Sequence, residues 1–297
     1  MAATTFLIQM TNASKSYRNG FKDSATVGAL KIQWGQDVCT SDGLQTFNFP
    51  SSFHSACYAV VITSSLPNAR SGLPVVLREK GRFGVDRDGG IDGPYPFYWI
   101  AIGDASATPE SGSFLLPADE DVAPWLLWGD LVSNLDGDQS FTTSRALPAG
   151  ASAIVLNTTL ANLRSALPAT SFDGAGRSLR VNRNNDINGS VGFSYLALGG
   201  AATGAPNSAS AAVAHFAQAG FKIQWGRSRS TSDYEELFML PEAFADMNFA
   251  VVTALNTSGH RAGLALSRPV NPRSFIVDRA GGDIDGQRDF YWIAVGR

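Results

Sequence analysis

Apolar and polar residues alternate with period two in Lys31-Ile32-Gln33-Trp34. This predicts a half-buried strand with Ile32 and Trp34 toward a core and Lys31 and Gln33 toward solvent. The run Phe97-Tyr98-Trp99-Ile100-Ala101-Ile102-Gly103 is apolar on both faces, with Phe97, Trp99 and Ala101 on one side and Tyr98, Ile100 and Ile102 on the other. Such a strand needs cover on both sides, either in the centre of a sheet or against a neighbouring unit. Further runs rich in β-branched residues and bounded by turn formers begin at Tyr58, Ala153 and Phe249. No stretch has the three-and-four spacing of a long amphipathic helix. The best helical candidates are the alanine-rich Ser208 to Gln218 and Glu235 to Phe244, which Pro241 breaks. The pattern predicts an all-β chain.

The same pattern occurs three times. Lys31-Ile32-Gln33-Trp34-Gly35 returns as Lys222-Ile223-Gln224-Trp225-Gly226, with a weaker version in Trp125-Leu126-Leu127-Trp128-Gly129. The closing run recurs as Phe193-Ser194-Tyr195-Leu196-Ala197-Leu198-Gly199 and Phe290-Tyr291-Trp292-Ile293-Ala294-Val295-Gly296. The opening tryptophans are 94 and 97 residues apart, and the closing glycines 96 and 97. Between these ends a step to proline (Pro50, Pro148, Pro241), a β-branched strand and an Asp/Asn-Arg…Gly segment keep their order, as expected of a tandem repeat. We therefore expect three small β-sandwich domains, 28–104, 122–200 and 219–297, packed as a pseudo-threefold trimer. A small module buries a modest core and gains by packing on others. Residues 1–27 read as an N-terminal attachment segment, and 105–121 and 201–218, rich in small and polar residues, as linkers.

The second repeat departs from the others: Trp125 and Leu127 stand where the first has Lys31 and Gln33 and the third Lys222 and Gln224. A solvent face has turned apolar, so it is covered by a linker or sibling domain, or it meets a partner protein.

Composition narrows the function. Lys+Arg 23 against Asp+Glu 26, with no basic run, gives no electrostatic basis for nucleic-acid binding. No apolar stretch has the length of a membrane span, so no membrane insertion is expected. The N-terminus lacks the basic start and apolar core of a signal peptide, which points to cytoplasmic synthesis and release by lysis or by assembly into a particle. Cys39 and Cys57 are too few for a disulfide framework and read as reduced thiols, though a local bridge stays open.

The first repeat resembles a known family. Its strand ending in Ile32-Gln33-Trp34-Gly35, its Phe49-Pro50 step, Cys57-Tyr58-Ala59-Val60-Val61 and its terminal Phe97-to-Gly103 strand are similar to the short C-terminal domain of bacteriophage tail-fibre proteins. The likeness is good in the third repeat and weak in the second. It implies a β-sandwich that assembles as a homotrimer at the distal end of a fibre and binds a bacterial surface receptor, commonly a polysaccharide. The family has one such domain after a long shaft, whereas this chain carries three, with only about thirty residues before the first. On this reading the protein is a virion receptor-binding protein, not an enzyme, and works without cofactor or metal. It meets a bacterial surface glycan or protein at one end and other virion proteins through its N-terminal segment. The alternative is a structural virion component, such as a capsid fibre, decoration or baseplate protein, that reuses the domain for docking. A polysaccharide hydrolase is a third reading, since a carboxylate pair is set by the fold and is not visible in sequence.

Candidate residues follow. The loops that differ most among repeats supply Asn68, Arg70, Arg164, His260 and Arg261 as receptor-binding candidates, because recognition concentrates in loops on a rigid scaffold. The repeated segment supplies Asp86, Arg87 and Asp92, then Asn182, Arg183 and Asn188, then Asp278, Arg279 and Asp285. Its alternating acids suggest calcium, but the spacing fits no established metal loop and the second repeat replaces the acids with asparagines. A tight turn whose arginine pairs with a neighbouring acid is the expected structure. Trp125 and Leu127 are the candidate partner contact.

Overall fold

A computed structural model describes residues 20–65, 73–87, 93–106, 112–116, 124–147, 150–159, 169–172, 177–183, 189–202, 210–218, 220–232, 234–256, 266–279 and 286–297. Among them there is no helix, and the strands form six antiparallel sheets. Three sheets have four strands. The first orders β1 (Lys22–Val27), β2 (Leu30–Cys39), β7 (Tyr95–Asp104) and β4 (Cys57–Ser64). The second orders β8 (Ser113–Leu115), β9 (Trp125–Ser133), β14 (Val191–Gly200) and β11 (Ala151–Thr158). The third orders β15 (Ser210–Gln218), β16 (Phe221–Ser230), β21 (Arg288–Gly296) and β18 (Ala250–Leu255). The three-stranded sheets are β3 (Gly43–Asn48), β6 (Arg82–Arg87) and β5 (Val75–Arg78); β10 (Asp138–Thr142), β13 (Ser178–Asn182) and β12 (Ala169–Phe172); and β17 (Glu236–Met239), β20 (Ser274–Asp278) and β19 (Leu266–Asn271). Strand order is the same in each set of three.

The outer strands β1, β8 and β15 lie in the segments read as attachment and linkers. Each pairs antiparallel with its opening strand, so these segments complete sheets as well as connect them. Ser210 to Gln218, the described part of the alanine-rich helical candidate Ser208 to Gln218, is extended because it pairs with β16 from Phe221 to Ser228. Tertiary pairing overrides alanine's helix propensity here.

The closing strands alternate as their composition requires. Phe97, Trp99 and Ala101 of β7 share a core with Phe83 and Val85 of β6, where the four- and three-stranded sheets meet face to face. Trp292 and Ala294 of β21 do the same with Phe275 and Val277 of β20. Tyr98, Ile100 and Ile102 turn the other way, into a cluster that draws on all three four-stranded sheets. There Ile32, Ile100 and Ile102 meet Leu126, Leu196 and Leu198 and Ile223, Ile293 and Val295 around one small apolar cavity. Burying each such side chain contributes roughly 1.5–3 kcal/mol, so the shared face is a main source of stability.

One expectation is overturned. Gln33 does not face solvent; it is fully buried, as is Gln224. Their strands are covered on both faces: Gln33 Oε1 accepts from Ser51 N–H at 3.2 Å while its buried Nε2 has no partner among the described residues, and Gln224 exchanges bonds with Glu242 N–H and C=O at 2.8 and 3.0 Å. Lys31 is half-buried, its Nζ donating to Ser52 C=O at 2.7 Å.

Candidate functional site

The repeated segment builds a clasp. Arg87 ends β6, and its guanidinium turns inward to reach Asp42 Oδ1 at 2.6 Å and Gly93 C=O. Arg183, just after β13, donates to Leu135 C=O and Gly189 C=O, both at 2.7 Å, and pairs with Asp136 at 3.1 Å. Arg279, just after β20, donates to Ser232 C=O at 2.6 Å and Gly286 C=O at 2.9 Å. All three arginines are buried. Each ties the connection between the opening strand and the first strand of the three-stranded sheet to the glycine that leads into the closing strand. Gly93, Gly189 and Gly286 adopt φ of 88°, 90° and 90°, which a residue with a Cβ enters only with strain. The expected arginine–acid pair is formed by Arg87 with Asp42 and by Arg183 with Asp136, and the bond to the glycine carbonyl recurs at all three arginines. A buried guanidinium satisfied in this way organises structure and offers little to a ligand.

Asp86 and Asp278 are buried, whereas Asn182 Nδ2 reaches Asp138 at 2.9 Å. Asp92, Asn188 and Asp285 lie outside the described residues, as do Asn68, Arg70, Arg164, His260 and Arg261. No group of three or more His, Cys, Asp or Glu side chains comes together in a metal-holding arrangement among the described residues. Cys39 and Cys57 are unpaired, and burial pushes each thiol up to about 12, so both stay protonated at neutral pH.

Leu127 is fully buried in the shared cluster of this chain, and its apolar side chain is covered by the chain itself. Trp125 is half-buried at the rim of that cluster, with the Arg145 guanidinium 3.8 Å above its ring. Leu115, its cross-strand neighbour on β8, is exposed, as are Val132 near the end of β9 and Leu135 just after it.

Contacts between repeats went unread in the sequence. Trp34 Nε1 donates to Asn248 C=O and Trp225 Nε1 to Ala151 C=O, each at 3.1 Å. Trp128, at the matching position, instead stacks on Tyr58 with ring centroids 5.4 Å apart. Asn157 of β11 accepts from Ile62 N–H at 2.7 Å and donates to Leu73 C=O at 2.8 Å. Thr63 Oγ1 of β4 accepts from Thr253 N–H at 2.8 Å. Arg78 holds Asp130 through both carboxylate oxygens, and Arg297 holds Asp23. The only signal for these contacts was the recurrence of tryptophan at one repeat position, which named the side chains without their partners.

The described chain is thus all-β, with one strand order common to its three four-stranded sheets, another common to its three three-stranded sheets, and an apolar cluster that the four-stranded sheets share. Residues 28–104 match the family described as "Putative tail fiber protein gp53-like, C-terminal". A phage tail-fibre C-terminal-like domain is therefore present over the first repeat, consistent with a structural or adsorption role in a phage particle. No curated protein and no solved structure matches the chain.

Proposed function

We propose that this protein is a phage receptor-binding protein in which three tandem β-sandwiches of one chain close into a ring, a pseudo-trimer that binds the bacterial surface for adsorption. The observation that carries the functional reading is the tail-fibre match over residues 28–104. Three features support the ring. The strand order repeats in three sheets. The nine cavity-lining residues fall at three matched positions in each repeat. The contacts also run in one direction: β4 packs on β9 and β14, β11 on β16 and β21, and β18 on β2 and β7. A head-to-tail contact that closes after three steps is the interface of a cyclic trimer. The ligand is a host-surface glycan or protein, taken by the loops that include Asn68, Arg70, Arg164, His260 and Arg261. The protein is made in the host cytoplasm and carried on the virion, with residues 1–27 toward other particle proteins, and it acts without catalysis.

The test is binding of the purified chain to bacterial cells and to an array of surface polysaccharides. Saturable binding to one glycan or strain, with the chain monomeric in solution, is the expected result. An absence of binding, together with an internal position in the particle, would sink the reading. The exposed Leu115, Val132 and Leu135 favour a second reading, a structural component docked along the outer margin of the second repeat. Immunogold labelling of intact particles separates the two, since an adhesin must be distal and accessible.

A further inference from the structure

The three junctions of this ring are unequal in a way that predicts where it opens. Strands β4, β11 and β18 are the free edges of their sheets, and they converge on one another. An edge strand leaves N–H and C=O groups that need partners once water is excluded. Two junctions supply them from side chains. Asn157 of β11 bonds Ile62 N–H and Leu73 C=O, and Thr63 of β4 bonds Thr253 N–H. Thr63 and Asn157 are separated by the same 94 residues as Trp34 and Trp128, so they hold one position in two repeats. In the third repeat that position is Ala254, which is buried and has no side-chain donor or acceptor to offer Leu156, the counterpart of Ile62 on β11.

Among the described residues, ion pairs cross the same two junctions. Arg78–Asp130 spans the first and second repeats, and Arg297–Asp23 spans the third and first. The Trp225–Ala151 bond ties the second and third repeats. We infer that the junction between β11 and β18 is the least protected of the three, with the Leu156 N–H the edge amide that opens to water first while the matched amides Ile62 and Thr253 are held.

This inference rests on the ring proposed above, and the experiment separates the two. Native-state hydrogen exchange on the full chain, read at Ile62, Leu156 and Thr253, compares matched edge amides. Leu156 is expected to exchange at least about fivefold faster than the other two, the factor that a hydrogen bond of about 1 kcal/mol represents. A254S adds only a hydroxyl and should slow Leu156 toward the others, and T63A should speed Thr253 to match Leu156. Equal slow exchange at all three amides leaves the ring standing and overturns the opening point. Equal fast exchange at all three removes the ring, and this inference with it. If A254S packs poorly, T63A and the unaltered chain still decide.

Discussion

The first and second repeats solve one local problem in opposite ways. At the position of Gln33, Leu127 and Gln224 the opening strand is buried on both faces. The first and third repeats place an amide there and tie it to the backbone of the step after proline, at Ser51 and Glu242. The second repeat places a leucine, which packs into the shared cluster. A buried site accepts either a polar group with its partner or an apolar group with none, and a mixture of the two is what costs. The apolar character of the second repeat is therefore the alternative solution for a buried position, and Leu127 by itself does not mark an outside partner.

Exchanging the solutions breaks the comparison most sharply. Leu127→Gln would bury an amide in the apolar cluster, and we expect a loss of about 3 kcal/mol or more, read from urea unfolding with an unchanged slope. Gln33→Leu leaves the Ser51 N–H without its acceptor but adds apolar contact, so about 1–2 kcal/mol is expected in the same assay. Equal costs for the two changes would show that the two sites are not alternatives of one kind. The tryptophans sharpen the contrast further. Trp34→Phe loses the bond to Asn248 C=O, whereas Trp128→Phe keeps an aromatic stack on Tyr58. The first should cost about 1 kcal/mol more than the second in thermal melts compared at one temperature.

Acid provides a test confined to the first repeat. Burial opposes the charge of Asp104, but bonds from the Ser55 hydroxyl and from the Ser55 and Ala56 N–H groups hold its carboxyl below the usual range. A carboxylate depressed in the folded state stabilises the protein above its unfolded value of about 4, and this is lost as pH falls through the folded value. Asp104→Asn should therefore be less stable than the parent at pH 7, with the gap closing below about pH 4. The matching positions are Gly200 and Arg297, so this carboxylate is peculiar to the first repeat. The smallest effect concerns the thiols. With both pushed up to about 12, Cys39 and Cys57 should resist alkylation at pH 8 in the native protein and react promptly once it unfolds.

Much of this was legible in the residues, because periodicity is a local property. The two-faced apolar run from Phe97 to Ile102 required cover on both sides, and it obtained it, from β6 on one face and from the other four-stranded sheets on the opposite one. The arginine of the repeated turn was visible too, though its carbonyl partners were not, because Gly93, Gly189 and Gly286 reach it only after the chain doubles back. Gln33 was misplaced for a related reason: period two tells which side chains share a face, but not whether the polar face meets water or another layer of chain. Alanine-rich Ser210 to Gln218 likewise carried no sign of the strand it would pair with. By itself the sequence determined an all-β chain, a threefold recurrence and the side chains available at each repeated position. Only the tertiary structure decided which faces are buried and which edges meet, because long-range backbone pairing and the packing of sheet on sheet are set by chain segments far apart, whose mutual distance no local pattern encodes.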